Sequence, residues 1–212
     1  MQSFPLDDRG SFAWLAHPEE PMARASCALV VDGGSLVIDP VDAPGLDEAL
    51  APLGPPLGVV TLLDRHQRDA AAIAARLGCR RVLPRALDGE GVRLDGVEER
   101  TVTAGRGWKE ALLWLPERRL LVCAEAVGTG AFYLAREGDR LGVHPFSRLL
   151  RIGPAFAGLR PDVLAVGHGP PLTEGAADAL ERALSGKLRD LPRAWGRAVA
   201  LGLRTRGALK AS

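Results

Sequence analysis

The sequence predicts an α/β fold, and three observations carry that reading. Two β-rich runs, ASCALVV and SLVI, are joined by Asp32-Gly33-Gly34, a connection suited to a hairpin. The apolar run GVVTLL passes through a knot of polar residues into the alanine-rich DAAAIAARLG, a strand feeding a helix. A second pair of β-rich runs, ALLWL and LLVCA, flanks PERR and makes another hairpin.

Taken in order, Ser11–Ala16 is the first expected strand, followed by the hairpin over Ala25–Val31 and Ser35–Ile38. Pro44–Leu53 reads as a short helix, because Leu46, Ala49, Leu50 and Leu53 share one face, and Pro55-Pro56 stops it. Val59–Leu63 is continuously apolar, as in a strand buried on both faces. Asp69–Leu77 is the next helix, with Gly78 placed to end it. A short strand is expected at Arg81–Leu83, and half-exposed strands across Gly89–Thr103, where apolar and polar residues alternate. After the hairpin at Ala111–Leu115 and Leu120–Ala124, Ser147–Leu159 is expected to be helical with a break at Gly153-Pro154. Asp162–Val166 is a buried strand that runs into Gly167-His168-Gly169. Two helices close the chain, near Ala176–Leu184 and Arg193–Leu209.

The chain of 212 residues has no internal repeat and no linker long enough to divide it, so residues 1–212 are read as one domain with a basic helix from about 190. A net charge of +1 gives no global pull toward nucleic acid or membrane, and neither is expected as a partner. From Lys187 to Lys210 there are seven Lys or Arg, opposed by Asp190 alone. With Trp195 among them, this segment reads as an amphipathic helix that packs on the domain or on a second subunit, a homodimer. Cys27, Cys79 and Cys123 stand singly in apolar surroundings, which excludes a cysteine-based zinc site and suits a reducing cytoplasm. No signal peptide and no transmembrane run is evident, so a cytoplasmic location is expected.

Chemistry is sought where polar residues follow buried strands, since a side chain there leaves the core while its backbone stays fixed. Four places qualify: Asp39 with Asp42, the knot Asp64–Asp69, Glu125 after LLVCA, and His168 after VLAV. Their carboxylates and histidines are the ligand types of a zinc, iron or manganese site. His17 and His144 each precede a proline and read as loop residues.

The order of these places resembles the metallo-β-lactamase superfamily. "LVIDPVD", "EALLWLPERRLLVCAEA" and "PDVLAVGHGPPL" are similar to three of its landmarks, and the likeness spans about Phe12 to Leu184. The resemblance implies a four-layered αββα sandwich. It also sets Asp64 and His66 on the first two histidines of the family's T-H-x-H-x-D-H loop, Arg68 on its aspartate and Asp69 on its third histidine. Arg106 in "AGRGW" stands where the family has a histidine, Glu125 where it has a bridging aspartate, and His168 matches unchanged.

Arg68 cannot ligate a metal, and a guanidinium 4 Å from a cation is repelled by roughly 4 kcal/mol per unit charge product at an effective dielectric near 20. Two functions follow from the resemblance. In the first the metal site is degenerate and no cofactor is held. Arg68 and Arg106 then fill the vacated space, pairing with Glu125, Asp64 or Asp69, or they bind a small anionic ligand beside Trp108. In the second, Asp64, His66, Glu125 and His168 hold one zinc, iron or manganese ion for hydrolysis of an ester, thioester or lactone, with Asp69 as the base.

Overall fold

The computed structural model describes residues 1–20, 22–103 and 107–211, and side chains except those of Thr103 and residues 202–211. Strands β1 (Gln2–Pro5), β2 (Phe12–Leu15), β3 (Ala25–Val31), β4 (Gly34–Ile38), β5 (Pro56–Val60) and β6 (Arg81–Val82) form one sheet in that order. The first four pair antiparallel, and β4, β5 and β6 then run parallel. Between β4 and β6 lie helices α1 (Leu46–Leu50) and α2 (Ala70–Arg76), the crossovers that parallel neighbours require. Strands β7 (Glu98–Thr103), β8 (Lys109–Leu115), β9 (Leu120–Val122) and β12 (Val163–Ala165) make a second sheet in the order β12-β9-β8-β7. Between β9 and β12 the chain adds a ribbon of β10 (Val127–Gly128) and β11 (Gly142–Val143), then α3 (Gly153–Phe156). Helices α4 (Ala176–Gly186) and α5 (Leu191–Ala211) follow.

Alternation along the strands produces the layers. Cys27, Leu29 and Val31 of β3 and Leu36 and Ile38 of β4 point one way; Ala111, Leu113 and Leu115 of β8 and Leu120 and Val122 of β9 point back at them. This central cluster is the core between the sheets. On the outer face of the first sheet, Ala28, Val37 and Val59 pack against Leu46 and Leu50 of α1 and Ile73 and Ala74 of α2. On the outer face of the second, Leu112, Trp114, Leu121 and Leu164 pack against Phe156 of α3 and Ala179 and Leu180 of α4. The layers are therefore helix, sheet, sheet, helix, as the resemblance implied.

Three expectations are corrected. The apolar run expected as a strand to Leu63 leaves the first sheet after Val60, because Leu62 and Leu63 cross to the second. The Leu62 carbonyl accepts from Ala111 N at 2.8 Å, and Leu63 bridges Glu110. Of the alternating stretch Gly89–Thr103, Glu98–Thr103 is strand. Before it, the Glu99 carboxylate accepts from the backbone of Arg85 and Val92 at 2.7 and 2.8 Å and holds a compact loop instead. The helix expected over Ser147–Leu159 is a 3-10 turn at Ser147–Leu149 and the four residues of α3, separated by a non-helical segment that ends at Gly153-Pro154. β1 and the β10–β11 ribbon carried too few apolar residues to be read from the sequence.

No helix is long and apolar enough to cross a membrane among the described residues. The tightest test of the layered core is Leu113, fully buried between the sheets. Leu113→Ala is expected to lower stability by about 2–5 kcal/mol, read as a shift in urea midpoint at unchanged slope.

Candidate functional site

The C-terminal ends of β4, β5, β9 and β12 meet at one edge of the sandwich, where two close approaches join the sheets. Ala25 N donates to the Gly167 carbonyl at 2.8 Å, and Arg24 forms a bridge with His168. The glycines of Gly167-His168-Gly169 permit this. A Cβ at Gly167 would lie 2.5 Å from the Ala124 carbonyl oxygen and 3.0 Å from the His66 ring, and one at Gly169 would lie 2.4 Å from Gly130 N.

Asp39, which follows β4, is 2% exposed and uses both carboxylate oxygens. Oδ1 accepts from Leu62 N at 2.8 Å, and Oδ2 lies 2.9 Å from His66 Nδ1. The His66 ring is thereby turned so that Nε2 faces Glu125 Oε1 at 3.2 Å. His168 is fixed in the same way: its Nδ1 faces the Met22 carbonyl at 2.9 Å, and its Nε2 lies 3.5 Å from the same Glu125 oxygen. His66, Glu125 and His168 thus bring one donor atom each within 4.8 Å of one another. Both orienting contacts are of the kind that fixes a metal-ligating imidazole.

Asp64 does not join them. Its carboxylate, 39% exposed, lies 3.5 Å from Arg65, so the sequence's four-residue ligand set is corrected to three. Asp69 also turns elsewhere: its Oδ2 accepts from Asp42 N at 2.8 Å and anchors the loop before α1. Arg68 enters the site, but on backbone and not on a carboxylate. Its NH1 donates to the carbonyls of Ala25 and Asp39 at 2.5 and 2.8 Å, and NH2 to that of Gly167 at 2.9 Å, stitching the ends of β3, β4 and β12 together. NH2 also lies 3.4 Å from His66 Nε2. Arg106, expected beside it, lies outside the described residues.

The cation that pairs with Glu125 is Arg65, at 3.2 Å; the expected pairing with Arg68 is corrected accordingly. Arg65 lies over the Trp108 ring, 4.8 Å from its centroid, and donates to the Gly107 carbonyl. Trp108 forms the wall of the site, its Nε1 donating to Glu110 Oε2 at 2.9 Å. Glu110, fully buried, was missed in the sequence, where it is simply one polar residue in an apolar strand. Its Oε1 accepts from the backbone N–H groups of Ala124, Glu125 and Ala126 at 3.0, 3.1 and 3.1 Å and so positions Glu125. His144, read as a loop residue, is buried among Trp108, Phe132, Tyr133 and Phe146. Tyr133 packs on His168 with ring centroids 5.7 Å apart. Among the described residues, Tyr133 Oη and His168 Nε2 are buried without a hydrogen-bond partner.

Charges divide accordingly. Burial opposes charging of His66, but Asp39 and the bonds to Asp39 and Glu125 outweigh it and raise its pKa. Burial lowers the pKa of His168, and pushes that of His144 down to about 4. Glu125 loses solvent, yet its histidine partners hold its carboxyl far below the usual range. Burial pushes Glu110 up to about 7, against the four N–H donors that favour its ionised form.

Two of these shifts make stability fall as pH rises, while the lowered values of His168 and His144 act in the opposite sense. The raised His66 value means that its contribution is complete below about pH 6.5, the unfolded value, and is lost as pH rises through the folded one. The folded chain also keeps a proton on Glu110 that the unfolded chain releases between about 4.5 and 7, so stability falls with rising pH there too. Urea unfolding from pH 6 to pH 8.5 is expected to show the parent chain losing more stability, or gaining less, than His66→Gln over this range. Equal slopes in both would contradict the assignment of His66.

Neither a family model nor a curated relative matches the sequence. Solved structures do. A DIM-1 metallo-β-lactamase exposed to ceftazidime superposes with a TM-score of 0.56 at 11% identity, covering 92% of this chain and 96% of that one. The metallo-β-lactamase from Hirschia baltica gives 0.57 at 10%, covering 88% and 97%. An NDM_FIM-1 like metallo-β-lactamase from Erythrobacter litoralis in mono-zinc form gives 0.55 at 15%, covering 89% and 96%. Layer order, strand topology and these superpositions together identify the chain as one with the metallo-β-lactamase fold.

Proposed function

We propose that this chain keeps the fold of the metallo-β-lactamases without a dinuclear hydrolase centre, its site being a cluster that neutralises itself with its own side chains. One observation carries this: Arg68, at the position where the resemblance puts a metal-binding aspartate, is tied to three backbone carbonyls and holds its guanidinium 3.4 Å from His66 Nε2. A second ion would have to sit beside that fixed cation, while Asp64 and Asp69, the remaining candidate ligands of the loop, face Arg65 and Asp42 N. The residues do not fit two metals. Nor do they favour a small anion at this place, since the donors of Arg68 are taken up by carbonyls and Trp108 by Glu110 and Arg65.

A second reading rests on a separate observation. His66, Glu125 and His168 offer two histidines and a carboxylate, a set that suits one zinc or iron ion, and the buried His168 Nε2 has no other partner among the described residues. Such an ion would polarise the carbonyl of an ester, thioester or lactone. In that case Asp39 and the Met22 carbonyl orient the two imidazoles, and Glu110 sets the position of Glu125.

Elemental analysis of protein purified without added metal or chelator separates the readings. The first expects no stoichiometric metal and none taken up on titration; one equivalent, lost in His168→Ala, establishes the second and overturns the first. Arg68→Ala supplies an independent check. Removing three charge-assisted bonds to backbone is expected to cost about 2–4 kcal/mol of stability in chemical denaturation. A stability loss under about 0.5 kcal/mol, the range of ordinary surface changes, would contradict a stitching role for this arginine.

A further inference from the structure

Away from this site, the loop joining β10 to β11 folds over α4 and encloses a cleft of about 480 Å³. Five guanidinium groups line it: Arg136 and Arg140 from the loop, Arg148 from the segment after β11, Arg182 from α4, and Arg189 from the α4–α5 connection. We propose that this cleft is a binding site for a small phosphorylated molecule, recognised by its phosphate groups.

The charge balance is uneven. The two carboxylates of the lining are already engaged. Asp190 pairs with Arg136 at 2.7 Å and with Arg189 at 3.5 Å, while Asp139 accepts from the backbone N–H of Arg136 at 2.8 Å. That leaves a surplus of three positive charges. Arg182 has no carboxylate partner among the described residues, and Arg140 donates to a carbonyl alone, that of Glu174, at 2.6 Å.

Arg148 supplies the second observation. It is 3% exposed, a degree of burial that a guanidinium tolerates when its donors are satisfied. NH2 donates to the Tyr133 carbonyl at 2.9 Å and NH1 to that of Lys187 at 3.4 Å, but Nε is buried with no partner among the described residues. A buried cation with an unused donor, in the wall of a cleft with surplus positive charge, is a site short of an anion. Planar guanidinium forks match phosphate oxygens in pairs, which favours phosphate over a diffuse surface attraction. The cleft's volume falls in the range of small-molecule sites. Its walls are also held in place beforehand, since Arg136–Asp190 and Arg140–Glu174 tie the loop to the segments that follow and precede α4. None of this depends on the function proposed above, although Tyr133 touches both places, through its carbonyl here and its ring at His168.

The test is titration calorimetry of the whole chain with inorganic pyrophosphate at low ionic strength. Saturable binding of one equivalent is expected. It should weaken at least about tenfold in Arg140→Ala/Arg182→Ala, a pair of exposed residues whose removal leaves the core intact, and stay unchanged in Arg197→Ala on the neighbouring helix. No saturable binding overturns the proposal, and so does equal weakening by both variants, which would mark a general attraction to basic surface. Citrate titrated in parallel separates the chemistries: tighter binding of citrate than of pyrophosphate would overturn the assignment to phosphate.

Discussion

The buried carboxylate of Asp39 is the constraint around which the site edge is arranged. A carboxylate taken out of water must be met by donors, and Asp39 finds them on two different segments: Leu62 N, where the chain leaves the first sheet, and the His66 imidazole. Its own carbonyl accepts from Ser26 Oγ and from Arg68. One residue therefore fixes where the chain after β5 goes, which way His66 faces, and where the Arg68 guanidinium is held. Asp39 and Arg68 both have positive φ, 43° and 38°, in the region that costs an L-residue of this kind about 1–2 kcal/mol. Two strained residues in direct contact are tolerated because their side chains are bound from several sides at once.

Charge is distributed at this edge by geometry more than by proximity in sequence. Arg65 and Arg68 are three residues apart, and both could reach carboxylates. Arg65 leaves the loop toward Trp108 and meets Glu125 at the rim, where part of its charge stays solvated. Arg68 is turned inward by its left-handed backbone and meets carbonyls, which satisfy a guanidinium without adding negative charge. Its charge is met at a distance by the nearby carboxylates of Asp39 and Glu125, to which it makes no direct bond. Glu110 lies beneath both arrangements, holding the backbone of residues 124–126 from inside the second sheet.

Sequence by itself determined the layered α/β architecture. The β-rich runs ASCALVV, SLVI and ALLWL are apolar at nearly every position, as strands covered on both faces are, and the alanine-rich helix after GVVTLL adds a helical layer; which residues face the central core and which the outer ones came from the structure. The sequence also located the site edge, because Asp39, His66, Glu125 and His168 all stand just beyond apolar runs, where side chains leave the core. What it did not determine was which of those groups converge. Asp64 is two residues from His66 and yet faces Arg65, and Glu110 looks like any polar residue in a strand. Those outcomes depend on the sign of φ at Arg68, on the crossing of Leu62 and Leu63 from one sheet to the other, and on glycines that let β12 approach β3. Each is formed or held by contacts between segments distant in the chain, the Arg68 backbone by its bonds to Ala25, Asp39 and Gly167, and so is decided when the two sheets close on each other, by the tertiary structure alone.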